Sequence, residues 1–193
     1  MDGTTAQTVE RPLPEAARRR FTGDDVERMI RAGIMGDKEP YELLGGELIE
    51  MPSEGALHFD AKSALIKIIG RAAGDLYEIG ADGPLRLSGE AWPEPDVFVI
   101  PRGMRPSQAK GPDTLLVVEV SDSSLAVDLG YKAQLYARHG VREYWVVDLV
   151  NGKIHVQRLN VDGNYGEPLF ATADQHVSPR LAPEISIRLS DLR

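Results

Sequence analysis

Cysteine is absent from the 193-residue sequence, which excludes disulfides, thiolate nucleophiles and cysteine-based zinc sites. The histidines are too scattered for a zinc motif: they are His58, His139, His155 and His176. No stretch approaches the roughly 18 uninterrupted apolar residues of a membrane span, and the N-terminus has no apolar signal segment. We therefore expect a cytoplasmic protein without membrane contact. These absences leave room for a hard metal ion held by oxygen ligands.

Positive charge is scarce. The chain has 22 lysines and arginines against 30 aspartates and glutamates, giving a net charge of -8 and a pI near 5.0. Such a molecule repels a polyanion as a whole, so binding to nucleic acid would require a local basic patch. Hydrophobic residues make up 42% and charged residues 27%, which is typical of a folded globular protein and not of a disordered one.

The chain begins with a segment unlike the rest. Residues 1–20 are polar, contain prolines and end in three arginines, a composition typical of a mobile arm. The remainder, residues 21–193, has the ordinary size of one domain. It opens with an amphipathic helix in FTGDDVERMIRAGI, which Thr22 can cap. YELLGGELIEM follows, in which Gly45-Gly46 predicts a hairpin turn.

Helices and strands alternate after the hairpin. Amphipathic helices are predicted over residues 57–76 and 126–139. Strands are predicted at 97–100, at 115–121, in VREYWVVDL and in a final pair joined around Asp162-Gly163. This order predicts an α/β fold of the α+β type, with a central sheet flanked by helices. The order of the strands within the sheet is not predicted.

One acidic residue interrupts the most apolar run of the chain. Glu119 lies in LLVVEVSDSS, where the neighbouring leucines and valines predict a strand covered on both faces. An unpaired carboxylate in that setting is costly, and a divalent cation shared with a second acid offsets the cost. Glu119 is therefore predicted to bind a metal ion. The alternative is a structural carboxylate that pairs with an arginine or caps a helix.

A second acid must reach Glu119. Asp113 belongs to the same extended segment, about 20 Å away at the usual rise per residue, so it cannot share an ion with Glu119. Asp96 begins a separate strand, and adjacent strands lie roughly 4.8 Å apart, so Asp96 is the better partner. Ser121 projects from the same face of its strand as Glu119.

Further side chains are predicted near this pair. Lys132 and Tyr136 are four residues apart and share one face of the following helix. With a two-residue turn, Glu42 and Glu47 project from one face of the hairpin and could supply another carboxylate. His58 lies at the start of the second helix and could donate a hydrogen bond. The structural alternatives are packing for Tyr136 and ordinary surface roles for the others.

The acidic pair carries a family resemblance. Pro95-Asp96 followed by Glu119-Val120-Ser121 resembles the PD-(D/E)XK nuclease superfamily, with Ser121 in place of its usual lysine. Longer stretches are similar to one branch, the Uma2-like restriction endonucleases, over about residues 21–192. These stretches are FTGDDVERMIRAG, YELLGGELIEMP, LLVVEVSDSS and DLGYKAQLYARHGVREYWVVDL.

The resemblance implies a restriction-endonuclease-like core, a central mixed sheet flanked by helices with an N-terminal helix, a β-hairpin and additional C-terminal strands. It also implies a metal-dependent phosphodiester hydrolase, specifically a DNA endonuclease. Its implied ligands for Mg²⁺ (or Mn²⁺) are Asp96, Glu119 and the backbone carbonyl of Val120. The role of the displaced lysine falls on Lys132. The chain also departs from the family pattern Ser-Pro-Ser, because Ser121-Asp122-Ser123 places an additional acid near the site.

The expected DNA contact is the basic loop, which we define as Arg102, Arg105 and Lys110, with Arg18–Arg20 as a mobile supplement. Two rival interpretations belong to other functional classes. One is a non-catalytic module of the same fold that binds nucleic acid or a protein partner. The other is an oligomerisation module that retains the acids only as a relic. Exposed strand edges leave a homodimer open.

Overall fold

A six-stranded mixed sheet and a separate hairpin form the β-structure of the protein in a computed structural model, which describes residues 18–36 and 39–192. The hairpin strands are β1 (Tyr41–Leu44) and β2 (Glu47–Glu50). The sheet contains β3 (Tyr77–Ala81), β4 (Val97–Pro101), β5 (Leu116–Ser121), β6 (Glu143–Asp148), β7 (Lys153–Arg158) and β8 (Leu169–Thr172), side by side in that order. Only β5 and β6 are parallel; the other neighbouring strands are antiparallel.

The predicted hairpin turn is confirmed. Leu44 is paired with Glu47, so only Gly45 and Gly46 form the turn. Their φ angles are +60° and +82°, and two positive values are what a two-residue turn matching the twist of the strands requires. Glycine adopts these angles without a steric penalty.

The predicted helices are also present. The first is α1 (Gly23–Arg31), which begins at a capping box: Thr22 Oγ1 accepts from the Asp25 N–H at 3.2 Å, and the Thr22 N–H donates to Asp25 Oδ2 at 2.9 Å. The second is α2 (Ala56–Ala73). The third is a continuous helical segment made of α3 (Leu125–Val127), a π turn (Asp128–Lys132) and α4 (Ala133–Arg138). Among the helices of the described residues, none is long and apolar enough to cross a bilayer.

Two hydrophobic cores lie on opposite faces of the sheet. On one face, α2 contributes Leu65 and Ile69, which pack with alternate residues of β4 and β5. On the other, the segment after β5 contributes Leu135 and Tyr136, which pack with the intervening residues, including Phe98. This confirms the predicted mixed sheet flanked by helices. The edge strand β3 was not predicted, because its half-buried five residues carry a weak pattern.

Candidate active site

Two adjacent strands bring the predicted acids together. Val97 of β4 is paired with Val118 of β5, so continuing the antiparallel register by one residue places Asp96 opposite Glu119. The Asp96 carboxylate turns toward β5, where its Oδ2 accepts a hydrogen bond of 2.7 Å from the Val120 N–H. This contact uses the Val120 N–H, whereas the family resemblance implicates the Val120 carbonyl as a metal ligand.

The following helix supplies partners for Glu119. Its carboxylate is buried, and Oε1 accepts hydrogen bonds from Lys132 Nζ at 3.0 Å and from the Tyr136 hydroxyl at 2.8 Å. Lys132 and Tyr136 are themselves buried. The partner of Glu119 is therefore an ammonium group and a phenol, and the alternative in which an arginine neutralises it is wrong.

The hairpin delivers a second acid to the same lysine. Lys132 Nζ also donates to Glu42 Oε1 at 3.0 Å, across 90 residues of sequence. The other oxygen of that carboxylate, Glu42 Oε2, is buried and has no hydrogen-bond partner among the described residues. Two buried carboxyl groups thus share one ammonium group, which can compensate the charge of only one of them.

The π turn explains why this helical segment contributes so many inward groups. Asp128 and Lys132 lie at the two ends of this turn and are both buried, and such turns occur frequently at functional sites. Ser124 donates a hydroxyl hydrogen bond to the Asp128 carboxylate, and the Ser121 and Ser124 hydroxyl oxygens lie 3.3 Å apart. Ser121 therefore supports the serine that holds Asp128.

The start of α2 approaches Asp96 from another direction. His58 Nε2 lies 3.5 Å from Asp96 Oδ2, and His58 Nδ1 lies 3.7 Å from a carboxylate oxygen of Glu54. Lys62, one turn further along α2, contacts Glu54 and donates to Asp82 Oδ1 at 2.8 Å. Its ammonium nitrogen is 3.9 Å from Asp96 Oδ1.

These groups surround a cavity of about 260 Å³, which we call the acidic cavity. Eight acidic residues line it, and the only lysine or arginine among the lining residues is Lys132. The acids are Glu42, Glu54, Asp82, Glu94, Asp96, Glu119, Asp122 and Asp128. Such an excess of carboxylates attracts a cation.

The pKa values of the buried acids reflect this imbalance. Burial raises the pKa of Glu119 to about 8, against the lowering effect of the Lys132 ammonium. Burial likewise raises the pKa of Glu42, Glu94 and Asp128. Although burial by itself lowers the pKa of Lys132, the carboxylates of Glu119 and Glu42 raise it above its ordinary value. Lys132 therefore stays protonated at neutral pH, and it is the only lysine or arginine that lines the acidic cavity.

Two groups of predicted residues lie outside the acidic cavity. Glu47 shares the hairpin face with Glu42, but its exposed carboxylate pairs with Arg18 at 3.3 Å. The basic loop begins after the last residue of β4, whereas Asp96 lies before the first residue of that strand. The length of β4, about 16 Å, therefore separates the basic loop from Asp96. Arg102 donates to the Asp75 carbonyl at 2.7 Å. The structure does not bring the basic loop to the acids.

The arm predicted over residues 1–20 lies outside the described residues except for its three arginines. Each of them pairs with an acid: Arg18 with Glu47, Arg19 with Asp25 and Arg20 with Glu90. These exposed pairs hold the end of the arm against α1 and the hairpin.

Several residues of the site had not been predicted. They are Glu54, Lys62, Asp82, Glu94 and Asp128. Two of them carry a local signal, because Glu54 precedes His58, and Asp128 precedes Lys132, by four residues. Lys62 and Asp82 carry none, since their contact depends on how α2 packs against the loop after β3.

The site fits a divalent cation. Asp96 and Glu119 occupy opposite positions on neighbouring strands and both line the acidic cavity, and Glu42 Oε2 is a buried acceptor without a donor among the described residues. Oxygen ligands of this kind are those that Mg²⁺ and Mn²⁺ prefer. The lining of the acidic cavity also has more acidic than basic residues, and a bound cation would balance this excess.

Comparisons with known proteins bear on the family and the fold. The model of a family described as "Uma2: Putative restriction endonuclease" matches residues 24–190. No curated protein matches the sequence significantly. A crystal structure of "a putative nuclease belonging to DUF820" from Anabaena variabilis superposes with a TM-score of 0.68 at 18% identity, covering 89% of this chain and 97% of that one. That likeness shows the fold.

A second structure is more distant. The type IIG restriction endonuclease BpuSI superposes with a TM-score of 0.38 at 18% identity, covering 55% of this chain and 12% of that one. A similarity of that size carries no argument about the site.

Proposed function

Because the chain belongs to the Uma2 family, we propose that it is a metal-dependent phosphodiester hydrolase and that its substrate is DNA, cleaved endonucleolytically. One observation carries the proposal: Asp96, Glu119 and Lys132 meet in the acidic cavity, although they come from three different elements. The family's description supplies the reaction class, and the residues supply a site with the matching chemistry.

Asp96, Glu119 and the Val120 carbonyl would hold the ion, which we propose to be Mg²⁺ or Mn²⁺. When bound, such an ion lowers the pKa of water and neutralises charge on the phosphate. The chain's own residues then have separate tasks. The Val120 N–H orients the Asp96 carboxylate, and the Tyr136 hydroxyl orients that of Glu119.

Lys132 holds the only ammonium group among the residues that line the acidic cavity. We propose that it stabilises negative charge on the phosphate or orients the attacking water. In this structure it is buried and bonded to both Glu42 and Glu119. Its contact with substrate therefore requires these acids to be neutralised by something else, and the proposed cation would do that.

The test uses supercoiled and single-stranded DNA, with and without Mg²⁺ or Mn²⁺. We expect metal-dependent nicking that Asp96→Asn and Glu119→Gln each reduce by at least about a hundredfold, as for groups that act on the transition state. Glu167→Gln, an exposed acid outside the acidic cavity, is the matched control. Metal-dependent cleavage that survives both site substitutions would refute the assignment.

A second candidate is a non-catalytic module of the same fold that binds nucleic acid or a protein partner. It is favoured by the burial of Lys132, which is only 2% exposed, and by the net charge of -8. Tight binding of DNA without cleavage by any tested metal would favour this alternative.

A further inference from the structure

A second group of metal-ligand atoms lies in the acidic cavity. Glu54, His58 and Asp96 each offer one ligand atom, and these atoms all lie within 4.8 Å of one another. Among the described residues, this is the only group of three or more such side chains that meets that distance. It shares Asp96 with the site proposed above, but its other two members come from α2 and the loop before it.

Local structure holds two of these ligands in place. Glu54 immediately precedes Gly55, the N-cap of α2, and His58 lies in the first turn of the helix. Their side chains face each other, with His58 Nδ1 3.7 Å from Glu54 Oε2. The His58 side chain is only 12% exposed, and its Nδ1 atom is buried without a hydrogen-bond partner. An imidazole nitrogen without a hydrogen bond, 3.7 Å from the Glu54 carboxylate, can bind a metal ion together with it.

Glu42 indicates that the acidic cavity as a whole lacks positive charge. Its side chain is 5% exposed, it lines the same cavity, and its Oε2 atom has no partner. The great majority of buried polar atoms in proteins have a hydrogen-bond partner, so this unpaired carboxylate oxygen indicates that the cavity needs more positive charge than Lys132 supplies.

We propose that Glu54, His58 and Asp96 form a second cation site, selective for a first-row transition metal ion such as Mn²⁺, Co²⁺ or Zn²⁺ over Mg²⁺. The selectivity follows from the imidazole ligand, which suits transition metals, whereas Mg²⁺ takes oxygen ligands. The inference depends on the proposed function only through Asp96, which would serve both ions. It assigns ligands of different chemistry to the two halves of the acidic cavity: oxygen ligands in one, and oxygen with an imidazole nitrogen in the other.

Lys62 acts as the competitor at this site. It neutralises Glu54 in the structure, yet it also bonds Asp82 at 2.8 Å and lies 3.9 Å from Asp96. Lys62 keeps its ion pair with Asp82 when Glu54 leaves it. Glu54 can therefore bind a metal ion without leaving the lysine unpaired. Removal of the ammonium group should therefore strengthen metal binding, an effect opposite to that of removing a ligand.

Co²⁺ is the probe, because its visible absorption reports a nitrogen ligand and calorimetry gives the number of ions bound. We expect the wild-type protein to bind two Co²⁺ ions. Glu54→Gln and His58→Gln should each weaken one of them by more than about tenfold, and His58→Gln should also change the absorption. Glu119→Gln should weaken the other, and Lys62→Gln should tighten the Glu54 site.

His176→Ala is the matched control, since His176 bonds Ser186 away from the acidic cavity. It should bind two ions with unchanged affinity. Excess Mg²⁺ should displace only the ion that Glu119 holds. Glu54 is exposed, so Glu54→Gln should leave the fold intact. If His58→Gln fails to fold, the loss of affinity in Glu54→Gln tests the second site.

Three results would overturn the inference: a single bound Co²⁺, two ions that persist with equal affinity in His58→Gln, or no gain in affinity in Lys62→Gln. DNA cleavage is scored separately. Cleavage by a wild-type protein that binds one ion would refute the second site alone. Two bound ions without cleavage would refute the proposed function and leave the second site standing.

Discussion

The ammonium nitrogen of Lys132 lies 3.0 Å from Glu119 Oε1, and both side chains are almost wholly buried. The same nitrogen bonds Glu42 of the hairpin, so one cation connects β1, β5 and the π turn. Stability and the proposed catalysis therefore depend on a common group. Substitutions here must be assayed for folding as well as for cleavage.

Lys132→Met should lower the free energy of unfolding by about 3–5 kcal/mol, the usual cost of leaving a buried charge without its partner. Here two carboxylates, Glu42 and Glu119, would lose their ammonium group. Urea denaturation in the presence of a chelator measures the change. Lys67→Met, on the exposed side of α2, is the matched control and should change stability by less than about 0.5 kcal/mol. Equal stability of the two variants would contradict the expectation.

Asp122→Asn should weaken cation binding without abolishing it. Asp122 lines the acidic cavity and stands where the family pattern has proline, so it adds a charge without belonging to the proposed ligands. Loss of one nearby charge should raise the dissociation constant for Mn²⁺ roughly threefold to tenfold.

Calorimetric titration with Mn²⁺ measures the effect of Asp122→Asn, and the difference should shrink at high salt. Glu167→Gln, which removes an equal charge far from the acidic cavity, should leave the constant unchanged. A complete loss of binding in Asp122→Asn would instead show that Asp122 is a ligand.

The capping box of α1 predicts a pH dependence of stability. The pKa of Asp25 is lowered from 3.8 to about 2. The largest cause is the hydrogen bond from the Thr22 backbone N–H, and the Thr22 hydroxyl and the Arg28 guanidinium lower the pKa further. A lowered pKa stabilises the fold above pH 3.8, and this contribution is lost as the pH falls through about 2. The melting temperatures of wild type and Asp25→Asn should therefore differ at pH 6 and converge toward pH 2.

Asp24→Asn removes a charge from the same helical turn without touching the capping box and serves as the control. Its melting temperature should follow that of the wild type across the whole range. A constant difference between wild type and Asp25→Asn down to pH 2 would exclude the capping box as the source of the pH dependence.

Gly111→Ala should destabilise the fold, because an added Cβ would lie 2.0 Å from the backbone oxygen of His139. Neither side of that contact is a flexible side chain, so the loop after β4 and the end of α4 must separate. We expect a loss of about 1–3 kcal/mol, the range for overpacking. Gly89→Ala, where nothing lies within 4 Å of the added carbon, is the control in the same thermal unfolding assay.

Periodicity made most of the elements predictable. Alternate positions of a strand lie on opposite faces and every third or fourth residue of a helix shares a face, so local sequence indicated the hairpin, α2 and the strand that carries Glu119. The same rule placed Ser121, Glu119 and Val117 on one side of β5. It could not identify β3, whose short edge position leaves it only partly buried.

Local sequence could not settle which ends of the elements meet. Arg102 and Asp96 are six residues apart and both flank β4, yet the strand between them carries them to opposite ends of the sheet. Glu42 and Glu47 share a hairpin face, yet only Glu42 lies against the helical segment that holds Lys132. Glu42 is buried and Glu47 is exposed because the helical segment packs against only one part of the hairpin, which the local sequence does not show.

The sequence by itself determined that Glu119 needed a positive partner, because an apolar strand on both sides of a carboxylate denies it water. Only the tertiary structure decided that the partner is Lys132, that Glu42 shares it, and that α2 adds Glu54 and His58 around Asp96. The physical reason is that burial is encoded by local pattern, whereas the meeting of charges depends on strand order, helix placement and the π turn.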